Sequence, residues 1–181
     1  MYWESERLLY RPVRMSDVDA LFRIYGDVRT HAFNPRGPHQ SIEESRRVIL
    51  QRAADRERYG FDDWAVAEKC DPQRVIGFGG VFVSEFNGEQ TNNLGYRFEP
   101  AAWGRGYATE LARRALSYAF DELKLADVVG VTRENHLASR RVLEKAGLVL
   151  TQRIENLDDP PANLMFTLTR EAWTRRKQCG A

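Results

Sequence analysis

Between residues 98 and 123 a strand end, a turn carrying two glycines and a long amphipathic helix follow one another without a break. This junction constrains the fold more than any other stretch of the 181-residue chain. On the helical side, Ala108, Leu111, Ala112, Ala115, Leu116, Ala119, Phe120 and Leu123 form one apolar stripe at 3.6-residue spacing, which must lie against another layer. On the strand side, Asn93-Leu94-Gly95-Tyr96-Arg97-Phe98 closes a series of strand-like runs that begins at Trp64. Between the two lies Trp103-Gly104-Arg105-Gly106-Tyr107-Ala108-Thr109. Its glycines let backbone approach an anion unobstructed, just where free amides and the positive end of a helix dipole gather.

The remaining elements follow from periodicity and punctuation. Residues 7–13 form a strand, and 16–25 a helix carried by Val18, Leu21, Phe22 and Tyr25. Residues 31–40, rich in Pro, Gly and Asn, are a loop. Ser41-Ile42-Glu43-Glu44 has the capping-box spacing that opens a charged helix to about Arg58. Strands at 64–68, 75–83 and 93–98 make an antiparallel meander, broken at Asp71-Pro72 and at the tight turn Phe86-Asn87-Gly88-Glu89. Beyond the long helix come a strand at 127–132, a helix at 135–146 closed by Gly147, and strands at 148–155 and 163–168. The order β-α-α-β-β-β-α-β-α-β-β predicts an α/β (α+β) fold, a mixed, mostly antiparallel central sheet flanked by helices. One domain spanning 1–181, with its core at about 7–170, is expected.

Several function classes drop out. A net charge of +1 gives no field that would draw the chain to nucleic acid or a membrane surface. No apolar run is long enough to span a bilayer, and residues 1–6 lack signal-peptide character, so a cytoplasmic location is expected. Cys70 and Cys179 are far apart and belong to no CxxC pair, which predicts reduced thiols and no metal. The runs Arg113-Arg114 and Arg140-Arg141 suit solvated helix faces, and Arg175-Arg176-Lys177 an inert tail. A dinucleotide fingerprint fails at Thr109, where its third glycine would stand, and the strands before it form a meander, not a βαβ unit. Local physics alone also allows a plain strand-to-helix connection that happens to carry two glycines.

Phe98-x-Pro100, Gly106-Tyr107-Ala108, Asn135-x-x-x-Ser139 and Glu144-Lys145-Ala146-Gly147-Leu148 together resemble the GNAT superfamily of acetyltransferases. The run from Trp103 to Glu110 is especially similar to its branch of ribosomal-protein N-terminal acetyltransferases, RimJ and RimL. The resemblance covers residues 7–168. It implies a GNAT-type sheet, acetyl-coenzyme A as co-substrate and no metal. It further implies main-chain pairing of Phe98 with the pantetheine arm in a slot opened by strands splaying after Phe98. The amides of Arg105, Gly106, Tyr107, Ala108 and Thr109 would hold the pyrophosphate, with the Arg105 side chain adding charge. Asn135 would hold the pantetheine chain, and Ser139 would hydrogen-bond the departing sulfur and help protonate it. Four apart, the two share one face of a helix, although the residues alone suit a helix N-cap and a solvated hydroxyl equally. The chain departs from the family at Trp103, where Gln or Arg is frequent, and at Leu143, where many relatives carry a tyrosine acid.

Relatives also often place Glu just before the Leu-Gly-Tyr strand, whereas this chain has Asn92-Asn93. Glu99, at the mouth of the slot, and Glu155 are the candidate substitutes, acting directly or through water, although the residues alone suit plain surface carboxylates more often. An α-amine, with a pKa near 8, is neutral in roughly one molecule in ten at pH 7, whereas a lysine amine is neutral in fewer than one in a thousand. A peptide N-terminus is therefore the first acceptor expected. A small-molecule amine such as an antibiotic, a polyamine or an amino acid comes second, and a noncatalytic acyl-coenzyme A sensor is a rival of another class. The acceptor pocket is expected between the two early helices, the loop His31-Ala32-Phe33-Asn34-Pro35 and the acidic hairpin from Glu155 to Pro161. His31 is the one histidine expected near it, and a monomer or homodimer is expected in solution.

Overall fold

The computed structural model describes residues 2–34, 36–86, 88–155 and 161–179. Among these, eight strands and five α-helices follow one another. They are β1 (Trp3–Glu4), β2 (Leu8–Pro12), α1 (Val18–Tyr25), α2 (Ile42–Tyr59), β3 (Trp64–Glu68), β4 (Asp71–Phe86), β5 (Glu89–Phe98), α3 (Tyr107–Ser117), β6 (Asp127–Arg133), α4 (Leu137–Ala146), β7 (Val149–Ile154), β8 (Asn163–Thr169) and α5 (Arg170–Cys179). The strands form one sheet in the order β1-β2-β3-β4-β5-β6-β8-β7. Every pairing is antiparallel except β5 with β6. The architecture expected from the sequence is therefore the observed one, extended by β1 and α5.

Each face of the sheet is covered because each carries its own apolar set. Leu111, Ala115 and Leu116 of α3 and Leu143 of α4 pack with Trp64, Val66, Val128 and Phe166. On the opposite face Leu21 and Ile24 of α1 and Ile49 of α2 meet Ala65, Val75 and Phe78. Each of the Val, Leu, Ile and Phe side chains among them contributes on the order of 1.5–3 kcal/mol on burial. The two-residue β1 is held by Trp3, whose ring stacks on Trp64 at 5.2 Å.

Local chemistry explains the ends of the elements. The Ser41 hydroxyl caps α2 by accepting from the Glu44 amide, and the Glu44 carboxylate accepts from the Gln40 amide at 2.8 Å. Gly60 and Gly147 close α2 and α4 at positive φ, which a residue with a Cβ adopts only under strain. The meander turns at Lys69-Cys70, so Asp71-Pro72 begins β4 instead of separating the strands. The long amphipathic helix is regular only to Ser117; Tyr118–Glu122 then widens into a π-turn, with the Leu123 amide donating to the Tyr118 carbonyl at 3.0 Å. The basic C-terminal run is no inert tail. It lies on α5, where Lys177 pairs with Asp121 at 2.6 Å and the Trp173 indole donates to the same carboxylate at 2.9 Å. Arg176 fills the space beside Gly147, where a Cβ would sit 1.7 Å from its Nη1.

Beneath α2 lies a buried charge cluster. Asp63 pairs with Arg52 at 2.8 Å, and Arg52 donates to the Tyr25 hydroxyl at 2.9 Å. Burial, reinforced by the neighbouring Asp63 charge, pushes the Asp62 carboxyl from its ordinary 3.8 to about 7. Folded protein therefore holds this proton more tightly than unfolded chain, so the stability Asp62 contributes is full below about pH 4 and lost as pH rises through 7. Asp62→Asn keeps the oxygen that accepts from the Asp63 amide and should raise the melting midpoint more at pH 8 than at pH 5. Melting curves at the two pH values check this, and the opposite order would refute it.

No helix among the described residues is long and apolar enough to cross a membrane. Nor could any group of three or more His, Cys, Asp or Glu among them hold a metal ion. Both cysteines are exposed and free.

Candidate active site

Strand β5 pairs with β6 at one register position, Asn93 against Val129, and the two then part. The separation begins upstream of the expected point after Phe98, so the freed edge runs from Leu94 to Phe98. Gly79 faces Tyr96 and Gly77 faces Phe98 on β4, while the Glu99 amide donates to the Ile76 carbonyl at 3.0 Å. Hydrogen-bonded and non-bonded pairs alternate in an antiparallel ladder. Tyr96 and Phe98 therefore turn their N–H and C=O groups away from β4, toward the open side. The Phe98 carbonyl there accepts from the Trp103 indole at 2.9 Å, which ties the following turn to the strand end.

Gly104 and Gly106 adopt φ of +74° and +82°, conformations open to glycine. Gly106 is the N-cap of α3, and among the described residues no side chain caps that end. The first amides of the helix thus lack a side-chain acceptor at a positive dipole end, which is the donor set that a diphosphate requires. By this criterion the residues fit the diphosphate of a coenzyme A carrier.

The turn is braced from outside. Arg7 donates to the Arg105 carbonyl at 2.9 Å, pairs with Glu110 at 2.8 Å and lies 4.8 Å over the Tyr107 ring. Arg105 lies 4.7 Å from the same ring and pairs with Glu68 at 2.5 Å, so its charge is already partly engaged. Arg113 and Lys145 line, with Arg7, Gly106 and Thr109, a cavity of about 730 Å³ beside the helix start.

Across the gap stands α4. The sequence placed Asn135 and Ser139 on one helical face, but Asn135 precedes the helix in a turn, because α4 starts at Leu137 with His136 as its N-cap. Asn135 is exposed and Ser139 half-buried. The Ser139 hydroxyl meets the Tyr96 hydroxyl at 3.1 Å, which joins α4 to the freed stretch of β5. Tyr96 was not among the expected site residues. Burial pushes its phenol up to about 12, against the lowering effect of the Ser139 contact. Leu143 is buried, and a Cβ on Gly130 of β6 would come within 2.5 Å of it, so the site of the family tyrosine is packed against the sheet.

The two candidate bases are differently placed. Glu99 is buried, with Arg74 at 2.6 Å on one oxygen and Arg23 and Arg74 both on the other. Its immediate environment is a cavity of about 490 Å³ lined also by Asp27, Arg29, Pro100 and Ala101. Glu155 is exposed and paired with Arg153. The tip of the acidic hairpin, residues 156–160, lies outside the described residues, as does Pro35.

His31 is buried, and its Nε2 accepts from Arg97 Nη1 at 2.6 Å. Desolvation first, and the Arg97 charge second, lower its pKa to about 4, which keeps the ring neutral. It is not alone near the loop. The His136 ring stacks on Phe33 at 3.9 Å and joins that loop to the entrance of α4.

The chain is 40% identical over 90 residues to an FsC-acetyl coenzyme A-N(2)-transacetylase of Aspergillus fumigatus. That match covers 46% of the chain and 38% of the relative, so the chain spans well under two thirds of that protein. It is 26% identical over 148 residues to the uncharacterized N-acetyltransferase YnaD of Bacillus subtilis, with 82% of each covered. Its fold matches that of Mycobacterium smegmatis RimJ in complex with CoA-disulfide, with a TM-score of 0.75 at 20% identity, covering 96% of this chain and 89% of that one. The model of the acetyltransferase (GNAT) domain matches residues 7–149, far more than half of the sequence, and the chain accordingly belongs to the GNAT acetyltransferase family.

Proposed function

We propose that this protein is an acetyl-coenzyme A-dependent N-acetyltransferase, acting as one domain, whose preferred acceptor is the α-amine of a peptide or protein N-terminus. The observation that carries the reading is the junction of the parted β5 edge with the uncapped, glycine-rooted start of α3. The first turns main-chain groups of Tyr96 and Phe98 to the open side, and the second leaves the first amides of α3 without a side-chain cap. When bound, acetyl-coenzyme A supplies the acetyl group as an activated thioester. The chain's part is to hold and orient. In this reading the main chain of Tyr96 and Phe98 lines the pantetheine arm, and the amides of Arg105 to Thr109 take the diphosphate. Arg113 and Lys145 add positive charge nearby. Asn135 steadies the arm from the far wall, and Ser139 serves the sulfur. Such positioning alone supplies a large part of the rate in transfers of this kind.

The α-amine reading rests on three observations: the RimJ-like run 103–110, the RimJ neighbour, and the lack of a free carboxylate before the Leu-Gly-Tyr strand. Asn92 there donates to the Asp127 carbonyl at 3.1 Å. Glu99 has its oxygens engaged by Arg23 and Arg74, which favours an anchoring role for it over the base role first expected. An acceptor with a substantial neutral fraction at pH 7 needs less help from a base. The A. fumigatus relative, named as a coenzyme A N(2)-transacetylase, supports a second reading in which the acceptor is a small amine.

A thiol-release assay with acetyl-coenzyme A over a panel of peptides, polyamines and amino acids tests both. Peptides with free N-termini should turn over fastest and N-blocked, lysine-bearing peptides slowest. Preference for a small amine would favour the second reading. Tight coenzyme A binding with no thiol release from any amine would leave a sensor.

A further inference from the structure

We propose that the Tyr96 phenol is the proton reservoir for the departing thiolate and delivers through Ser139 across the gap between β5 and α4. The inference rests on the acetyl-transfer reading above. Tyr96 stands on the stretch of β5 that has left β6, and its side chain crosses to the facing helix. There its Oη lies 3.1 Å from the Ser139 hydroxyl and 3.3 Å from the Ser139 carbonyl. One turn further along α4, Leu143 is packed against Gly130 and offers no proton.

Ser139 alone is a poor acid for this task, since an alcohol holds its proton far more tightly than a thiol does. The Tyr96 phenol, even when burial pushes it from its ordinary 10 up to about 12, lies closer than an alcohol does to the thiol's value of about 8.5. Burial keeps the Tyr96 phenol protonated throughout the working range, so the reservoir is filled before the thioester opens. The step balances as follows. The C–N bond forms and the C–S bond breaks with its electron pair on sulfur. Ser139 gives its hydroxyl proton to sulfur and takes the phenolic proton of Tyr96. Solvent returns a proton to the phenolate, and the attacking nitrogen releases one to solvent. Because Tyr96 acts through Ser139, it is a positioning and relay residue.

The test uses the full chain, acetyl-coenzyme A and the best acceptor from the panel. Tyr96→Phe should lower kcat about a hundredfold, with the KM for acetyl-coenzyme A within about threefold of wild type. Tyr96→Phe/Ser139→Ala should be no slower than Ser139→Ala alone, since one chain of hydroxyls is broken only once. Incorporation of 3-fluorotyrosine at position 96, which keeps the shape and makes the phenol more acidic, should move to lower pH the alkaline limb of the kcat profile that Tyr96 sets near pH 12 in the wild type. That readout holds even if Tyr96→Phe fails to fold. Wild-type kcat in Tyr96→Phe, losses that multiply in the double variant, or an unmoved alkaline limb would each overturn the relay. If wild-type protein releases no thiol with any amine, the parent acetyl-transfer reading falls instead.

Discussion

Gly106→Val should weaken coenzyme A binding by about a hundredfold, or about 2.8 kcal/mol, while the protein stays folded. Gly106 holds φ +82° as the N-cap of α3. A β-branched residue at that φ is a genuine outlier, so the turn should relax toward negative φ. Relaxation would swing the Tyr107, Ala108 and Thr109 amides off their common focus. The fold should survive, since the added Cβ meets only the Arg7 guanidinium at 3.5 Å and the position is exposed. Calorimetric titration with coenzyme A, run beside a melting curve, separates the two effects. Unchanged affinity in a folded variant would mean that the diphosphate is held elsewhere.

Asp63→Ala should cost about 3–5 kcal/mol of folding stability, because it strips the buried Arg52 of its carboxylate partner. Among the described residues Arg52 Nη1 already lacks a hydrogen-bond partner, as does the second oxygen of Asp63, so the pair has little reserve. Arg52 also lies 5.5 Å from the rings of both Tyr25 and Phe78, which leaves an unpaired guanidinium no easy route to water. Replacing both partners, as in Arg52→Met/Asp63→Leu, should recover much of the loss, since apolar groups of similar size remove the charge burial itself. Denaturant unfolding curves measure both variants. A loss below about 1 kcal/mol for Asp63→Ala would show that water reaches the pair.

Much of the architecture was legible in local pattern. The stripe from Ala108 to Leu123 identified a sheet-facing helix, Gly147 marked a helix end, and the meander was visible in the runs from Trp64 to Phe98. The glycine turn before α3 was legible for the same reason, since Gly104 and Gly106 adopt positive φ through their own chemistry. What escaped notice depends on residues distant in sequence. Tyr96 meets Ser139 across 43 positions and Arg7 reaches the Arg105 carbonyl across 98, and no periodicity encodes such meetings. Asn135 was misplaced by two residues of helix boundary, where His136 and not Asn135 became the cap. Glu99 looked free because Arg23 and Arg74 approach it from two other elements. The π-turn at Tyr118–Glu122 left no trace in the pattern, because it keeps Ala119 and Phe120 facing the core as a regular helix would.

The chain has three histidines, and each touches the loop between α1 and α2 or a residue anchoring it. His31 belongs to the loop and accepts from Arg97, His39 meets Ser45 at 2.8 Å, and His136 stacks on Phe33. The imidazole region of a proton NMR spectrum is therefore a private view of this segment. Any rearrangement there, from whatever ligand enters, would register in a handful of resolved ring signals without isotope labelling or an attached dye.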